Sequence, residues 1–184
     1  MNEYKLVFTG TTGAGKTTAI NAISDVSTIS TDVENNDMEF DKAKTTVGMD
    51  YGIVNLPNGD RLRLFGTPGQ NRFDFMWRIL VRDAFGLIIL VDNSRPDPLK
   101  DLSAYLDGFR EEVVNTPCVI GVGKSENNPS PTLEEYIDYL EQREILIPVI
   151  PIDVRNREEV IQAIDIVLAQ LETDDTFQNQ VASH

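Results

Sequence analysis

The sequence predicts an α/β fold: about six strands in a mostly parallel sheet, one antiparallel edge strand, and helices on both faces. Three observations predict it. Short, almost wholly apolar runs recur along the chain, as strands buried on both faces of a parallel sheet require. Stretches whose apolar residues repeat at helical spacing alternate with them. One pair of runs instead alternates apolar with small or polar residues around Pro57-Asn58-Gly59-Asp60, a reversal suited to an antiparallel hairpin.

Lys5-Leu6-Val7-Phe8 reads as the first buried strand, and Thr17 to about Asp25 as the helix that follows. Residues 26–45 are polar with little periodicity and read as a long loop, a kind that is usually functional. Val47, Met49, Tyr51 and Ile53 mark a half-buried strand, paired through the hairpin with Arg61–Phe65. Phe85–Asp92 reads as the central strand. Asp97-Pro98 caps and opens a helix that places Leu99, Leu102, Leu106, Phe109 and Val113 on one face. Cys118–Val122 is a fifth strand, Thr132 with Glu135 forms a capping box for the next helix, and Ile147–Ile152 is a sixth strand. Asn156 with Glu159 caps a last helix expected to bury Val160, Ile164, Val167, Leu168 and Leu171. One domain spans residues 1–171, and the polar, acidic residues 172–184 read as a frayed tail.

Composition excludes several functions. A net charge of −14 argues against nucleic-acid or anionic-membrane binding, since both need a basic surface. The only histidine is His184, which removes histidine-based catalysis and histidine metal sites. The only cysteine, Cys118, lies in an apolar run and reads as a small buried hydrophobe in a reducing compartment. No apolar stretch approaches the ~20 residues of a membrane span. Neither a basic leader, a myristoylation glycine nor a prenylation cysteine is present, so the expected location is cytoplasmic, without a stable membrane anchor.

Gly10-Thr11-Thr12-Gly13-Ala14-Gly15-Lys16-Thr17 satisfies G-x-x-x-x-G-K-[ST] in full, between an apolar strand and a helix. Glycines let backbone N–H groups curl around phosphate oxygens, and the helix N-terminus points its positive end at the same anion. Lys16 supplies a charge to the β- and γ-phosphates, and the Thr17 hydroxyl can ligate Mg2+. A glycine- and threonine-rich turn could match by chance, but the strand–loop–helix context makes a phosphate site the stronger reading.

Later segments carry a family resemblance. Lys44-Thr45-Thr46-Val47-Gly48, Phe65-Gly66-Thr67-Pro68-Gly69-Gln70 and Gly121-Val122-Gly123-Lys124-Ser125-Glu126 follow the P-loop in an order that resembles the Ras-like small GTPases over residues 4–171. Within them the chain is similar to the bacterial MglA-like branch. The resemblance implies GTP/GDP and Mg2+ as ligands. It places the nucleotide against Gly10, Thr12, Gly13, Ala14, Gly15, Lys16, Thr17 and Thr18. It gives Thr46 a place on Mg2+ and the γ-phosphate, with Thr45 as an adjacent competitor. Gly69 would offer its N–H to the γ-phosphate, and Gln70 would orient the attacking water. Lys124 and Glu126 would read guanine, with Asp153-Val154 closing over the base, although Asp153 could equally cap a helix.

The sequence departs from the family at three positions. Gly66 stands where an aspartate holds Mg2+ through water, a departure shared with the MglA-like branch, and Asp92 is the weak candidate to compensate. Gly123 replaces the asparagine of the guanine motif, and Glu126 its aspartate. No arginine occurs between Met1 and Asp60, so the first switch carries no finger, and Lys42 and Lys44 lack the planar fork. Such a finger contributes ~10³–10⁵ in rate, so slow hydrolysis is expected.

The helix after Gln70 has Phe73, Trp77, Leu80, Val81 and Ala84 as a buried stripe, with Phe75, Ile79, Arg78 and Arg82 on another face. Aromatic and aliphatic residues flanked by arginines fit an effector interface, or a helix buried on two sides. The resemblance also suggests a regulatory protein of the roadblock type. A degenerate GTPase that binds without turnover is the alternative function. A small-molecule kinase is disfavoured by the Gly-Thr-Pro-Gly-Gln segment and by the lack of an arginine-rich lid.

Overall fold

The computed structural model describes residues 2–34, 46–69 and 79–181, with side chains for 2–28, 49–69 and 79–172. Seven strands form one sheet in the order β2-β3-β4-β1-β5-β6-β7. They are β1 (Glu3–Gly10), β2 (Ile29–Glu34), β3 (Thr46–Asn55), β4 (Arg61–Gly66), β5 (Gly86–Asp92), β6 (Cys118–Gly123) and β7 (Val149–Pro151). Among the described residues the helices are α1 (Lys16–Ile23), α2 (Pro98–Gly108), α3 (Arg110–Asn115), α4 (Leu133–Glu141) and α5 (Arg157–Val181), and residues 79–81 are also helical.

β1 lies between β4 and β5 and is parallel to both. Its residues alternate between two apolar layers. Leu6 and Phe8 pack with Ile20 and Ile23 of α1 and Val160, Ala163 and Val167 of α5. Val7 packs on the opposite face with Leu102, Leu106 and Phe109, and with Tyr136 and Leu140 of α4. β5 divides in the same way, Ile88 and Leu90 to one layer, Leu87, Ile89 and Val91 to the other. Every residue of β5 is buried, which accounts for its continuous apolar run. Each fully buried Leu, Ile or Phe contributes about 1.5–3 kcal/mol, and these two layers fix the end of the sheet that carries the site.

The expected class is present, with two corrections. The segment read as a loop holds β2, and β2 rather than β3 forms the edge. β3 pairs antiparallel with both β2 and β4, so the one antiparallel strand lies second from the edge. β2 has its own alternation at Ile29, Thr31 and Val33, obscured by the acidic and polar residues around it. Its backbone covers the groups that β3 would otherwise leave unpaired. The hairpin also differs in detail. Gly59 has φ 87°, whereas Asn58 stays outside the left-handed region and its side-chain oxygen accepts from the Asp60 N–H at 3.0 Å.

The helix expected from Asp97 to Val113 is two helices that meet at Phe109. The Thr132–Glu135 capping box forms with both of its hydrogen bonds. In α5, Val160, Ala163, Ile164 and Val167 are buried, whereas Leu168 is exposed. The backbone of α5 stays helical to Val181, past the Leu171 at which the polar composition predicts fraying, and no proline or glycine interrupts it. No helix among the described residues is long and apolar enough to cross a membrane.

Candidate functional site

The loop between β1 and α1 rises from the middle of the sheet. Gly10, Gly13 and Gly15 all have positive φ, at 141°, 84° and 96°. Gly15 shows why the residue type matters: a Cβ there would stand 2.6 Å from Val154 Cγ2, in a backbone conformation that L side chains avoid. Lys16 opens α1 and is buried, its ammonium donating to the carbonyls of Gly10 at 2.7 Å and Thr11 at 2.8 Å. Burial lowers its pKa to about 8, against an opposing pull from Asp50. The buried Thr11 hydroxyl has no hydrogen-bond partner among the described residues. A desolvated cation and an unsatisfied hydroxyl under a glycine loop fit an anionic ligand.

Thr17 follows on the first turn of α1 and donates its hydroxyl to Asp50 Oδ2 at 2.5 Å. Thr9 and Thr67 bridge β1 and the end of β4 through their hydroxyls at 2.8 Å, and the Thr67 N–H donates to the Phe8 carbonyl at 2.9 Å. These bonds carry the chain after β4 back over the loop. A Cβ on Gly69 would overlap the Thr12 backbone nitrogen and lie 2.7 Å from both Thr12 Cα and Oγ1, so only glycine permits this approach. The Tyr105 hydroxyl, on α2, donates to the Gly69 carbonyl at 3.3 Å.

Beside this end lies a cleft of about 510 Å³ that brings together Gly13, Ala14, Gly15 and Thr18 with Lys124, Glu126, Asp153 and Val154. Lys124, at φ 60°, reaches Asp92 Oδ2 at 2.6 Å and the Gly13 carbonyl at 3.5 Å. Glu126 is exposed at the rim. The Asp153 carboxylate is held by Arg155 at 2.7 Å and 2.9 Å, and these bonds lower its pKa to about 2. The Asp153 N–H already donates to Glu159 Oε2 at 2.6 Å. The loop carrying Lys124 is anchored from beneath by buried Asn93, whose amide donates to the carbonyls of Asn128 and Pro131 while Tyr136 donates to its oxygen.

A family model described as "50S ribosome-binding GTPase" matches residues 5–124. The chain belongs to this GTPase family. It is 26% identical over 115 residues to the GTP-binding protein ypt4 of Schizosaccharomyces pombe, covering 57% of this chain and 49% of that one. It is 25% identical over 144 residues to the intraflagellar transport protein 22 homolog of Bos taurus, covering 71% and 73%. It is 26% identical over 145 residues to the Ras-related protein Rab-7L1 of Rattus norvegicus, covering 73% and 65%. The chain thus spans from about half to about three quarters of these relatives' lengths. These similarities place it among the Ras-like small GTPases, as a small GTP-binding protein.

In this GTPase the structure gathers Gly13, Ala14, Gly15 and Thr18 of the expected loop residues with Lys124, Glu126, Asp153 and Val154 around one opening, whereas Gly10, Thr12, Lys16 and Thr17 do not line it. Gln70, Lys42, Lys44 and Thr45 lie outside the described residues, as do Phe73, Phe75, Trp77 and Arg78. Thr46 is described by its backbone alone, as the first residue of β3. From the helix after Gln70, Leu80 and Val81 are buried and Ile79 is exposed, as its two stripes predict.

Two acidic residues take unexpected roles. Asp92 is buried and paired with Lys124: burial opposes its charge, yet bonds from Lys124 and Ser94 hold its pKa below the ordinary carboxylate range. Asp153 is not the helix cap, because Asn156 Oδ1 takes that place by accepting from the Glu158 N–H at 3.0 Å. The sequence reading misses Asp50 and Asn93. Asp50 has a legible signal, an acidic residue on a strand of otherwise small and apolar residues. Asn93 has none, since its partners lie 35–43 residues away.

Proposed function

We propose that this GTPase is a nucleotide-dependent switch that binds GTP and GDP with Mg2+, hydrolyses GTP slowly, and gates the binding of a partner protein. The observation that carries the reading is the packing of Gly69 on Thr12. The backbone that starts the second switch touches the phosphate loop at atomic contact, so a change at the phosphates is felt at once by the chain that follows. Lys16, held at the loop, meets the phosphate charge. The Gly69 N–H senses the γ-phosphate, and Gln70 orients the attacking water. The absence of an arginine before Arg61 supports slow turnover.

The Thr17 hydroxyl and the Asp50 carboxylate, 2.5 Å apart at the base of the loop, are hard oxygen donors of the kind that Mg2+ prefers. With Thr46 they are the residues that would hold the ion. When bound, Mg2+ supplies charge neutralisation at the phosphate oxygens. The chain's own part is to hold the phosphates at Lys16 and the loop N–H groups and to keep the Thr17 oxygen oriented.

The partner surface in this reading is the helix after Gln70, supported by the exposure of Ile79, 68%, on a helix whose Leu80 and Val81 are buried. A roadblock-type regulator, membership of the MglA-like branch and a cytoplasmic location complete the reading. Buried, disulfide-free Cys118 accords with the last. The alternative is a degenerate GTPase that binds nucleotide without turnover, and it draws on the base end, where Lys124 and Asp153 are already paired. Multiple-turnover hydrolysis separates the two. Slow release of phosphate from GTP, accelerated by a regulator, supports the switch, and none under any condition supports the degenerate form.

A further inference from the structure

The base end of the cleft is carried by residues 124–132, the connection between β6 and α4. Lys124 and Glu126 both stand on this stretch and line the cleft. Two consecutive residues at the end of β5 hold it. Asp92 lines the cleft and takes the Lys124 ammonium at 2.6 Å. Asn93 is buried on the other side, against Tyr136 of the apolar layer that also holds Val91. Its backbone N–H donates to the Gly123 carbonyl at 3.0 Å. Its side-chain amide donates to the carbonyls of Asn128 at 2.5 Å and Pro131 at 3.0 Å, and the Tyr136 hydroxyl donates to its oxygen at 2.7 Å. Asn128 passes the restraint on. Its amide donates to the Lys124 carbonyl at 3.0 Å, and its N–H to the Ser125 carbonyl at 3.3 Å. Lys124 has φ 60°, a region that residues other than glycine avoid, so bonds from its neighbours and not intrinsic preference hold its backbone there.

We propose that Asn93 is a positioning residue of the base end: from beneath the cleft it fixes the loop that carries Lys124 and Glu126, and so sets the preference for guanine. This rests on the reading of the chain as a guanine-nucleotide switch. The residue type suits the role. Two carbonyls of the loop need two N–H donors from one buried group, and an asparagine amide has both. Aspartate of the same shape has none, and serine has one. The same count fixes the amide's orientation, since the two carbonyls face its nitrogen and the hydroxyl faces its oxygen. An amide buried in an apolar layer is costly unless its groups are bonded, and here both N–H groups and the oxygen are. Gly123 has no side chain with which to tie the loop down, so its hold comes from the adjacent strand. Without the Asn93 amide, Lys124 keeps its bond to Asp92, but the backbone that aims Glu126 loses its support.

A core asparagine with no part in recognition predicts something different. Its loss would lower the melting temperature and leave the ratio of nucleotide affinities unchanged. The test is competition titration of GDP, ADP and inorganic pyrophosphate against the full chain in Mg2+, with melting temperature recorded for each variant. Pyrophosphate reports the phosphate loop alone. Asn93→Ala should reduce the preference for GDP over ADP from about tenfold to about parity, the loss expected of Glu126→Ala, with pyrophosphate affinity retained. The double variant Asn93→Ala with Glu126→Ala should lose no more than either alone, because one residue acts through the other, and an additive loss overturns the assignment. A folded Asn93→Ala with the wild-type preference overturns it too, as does a loss shared equally by GDP, ADP and pyrophosphate. If Asn93→Ala does not fold, Tyr136→Phe decides, since it removes only the hydroxyl that holds the amide oxygen. A reduced preference then supports the proposal, and the wild-type preference overturns it. The wild-type arm keeps the two readings apart. Wild type that binds no nucleotide, or binds GDP and ADP alike, defeats the guanine-nucleotide reading and this assignment with it. Wild type that prefers GDP, with a preference indifferent to residues 93 and 136, defeats this assignment alone.

Discussion

The two ends of the nucleotide cleft are built differently. The phosphate end consists of backbone and buried groups: a glycine loop, Lys16 against the Gly10 and Thr11 carbonyls, and Gly69 pressed on Thr12. The base end consists of side chains near the surface that are already engaged, Lys124 with Asp92 and Asp153 with Arg155. Backbone donors hold their direction without loss of side-chain entropy, whereas long charged side chains must be ordered and desolvated anew for a ligand. In the proposed switch, phosphate states would be distinguished through the backbone-built end and bases through the side-chain end. Selectivity for guanine should be modest beside the dependence on phosphate.

The largest expected effect tests the rigid end. Lys16→Ala removes a buried cation from the phosphates and should weaken GTP affinity by ~10²-fold or more, since hydrogen bonds to charged groups contribute about 1.5–3 kcal/mol each. Calorimetry with unchanged affinity would erase the contrast between the ends. Next, Gln70→Leu should slow single-turnover hydrolysis by ~10²-fold, the scale set by a misplaced nucleophile, with nucleotide affinity retained. A smaller effect belongs to the base end. Glu126→Ala should bring GDP and ADP affinities together by about tenfold, at the low end for a charged hydrogen bond because Glu126 is exposed. Competition titration measures this, and a hundredfold loss of GDP affinity would show that the base end is as firmly built as the other.

The smallest effect is a fraction of a proton. Lys16 titrates near 8 in the ligand-free chain, below its ordinary 10.5, because burial disfavours its charge. Bound phosphate favours the charged form, so GDP binding between pH 8 and 10.5 should take up protons, and binding at pH 7 should not. The same depressed value means that the ligand-free fold loses a penalty, and so gains stability, as pH rises through this window. Calorimetry in buffers of different ionisation enthalpy detects the uptake. Equal proton release or uptake at both pH values would place Lys16 elsewhere in the energetics.

How legible the site is in the sequence follows the same division. The phosphate loop is a contiguous motif whose chemistry is local, so Gly10 to Thr17 could be read residue by residue. β5 and the capping box at Thr132 are local too. β2 is not, because its pairing with β3 is set by residues beyond a polar segment, and its short alternation looked like loop. The interactions of Asp92 and Asp153 also escaped. Partner choice among neighbouring charges depends on side-chain reach, which spacing does not encode. Asp50 lies between these cases. Once Asn55 is paired with Arg61 at the hairpin, counting back along both strands sets Asp50 against Gly66. The juxtaposition of Asp50 and Gly66 was therefore readable, but only through the register.

The most direct measurement is a competition titration of GTP, GDP and ADP against the wild-type chain in Mg2+. The account predicts binding of all three, with GDP preferred over ADP by about tenfold, the worth of one charged hydrogen bond at an exposed site. Equal affinity for GDP and ADP would contradict it, because Glu126 and Lys124 would then contribute nothing to reading the base.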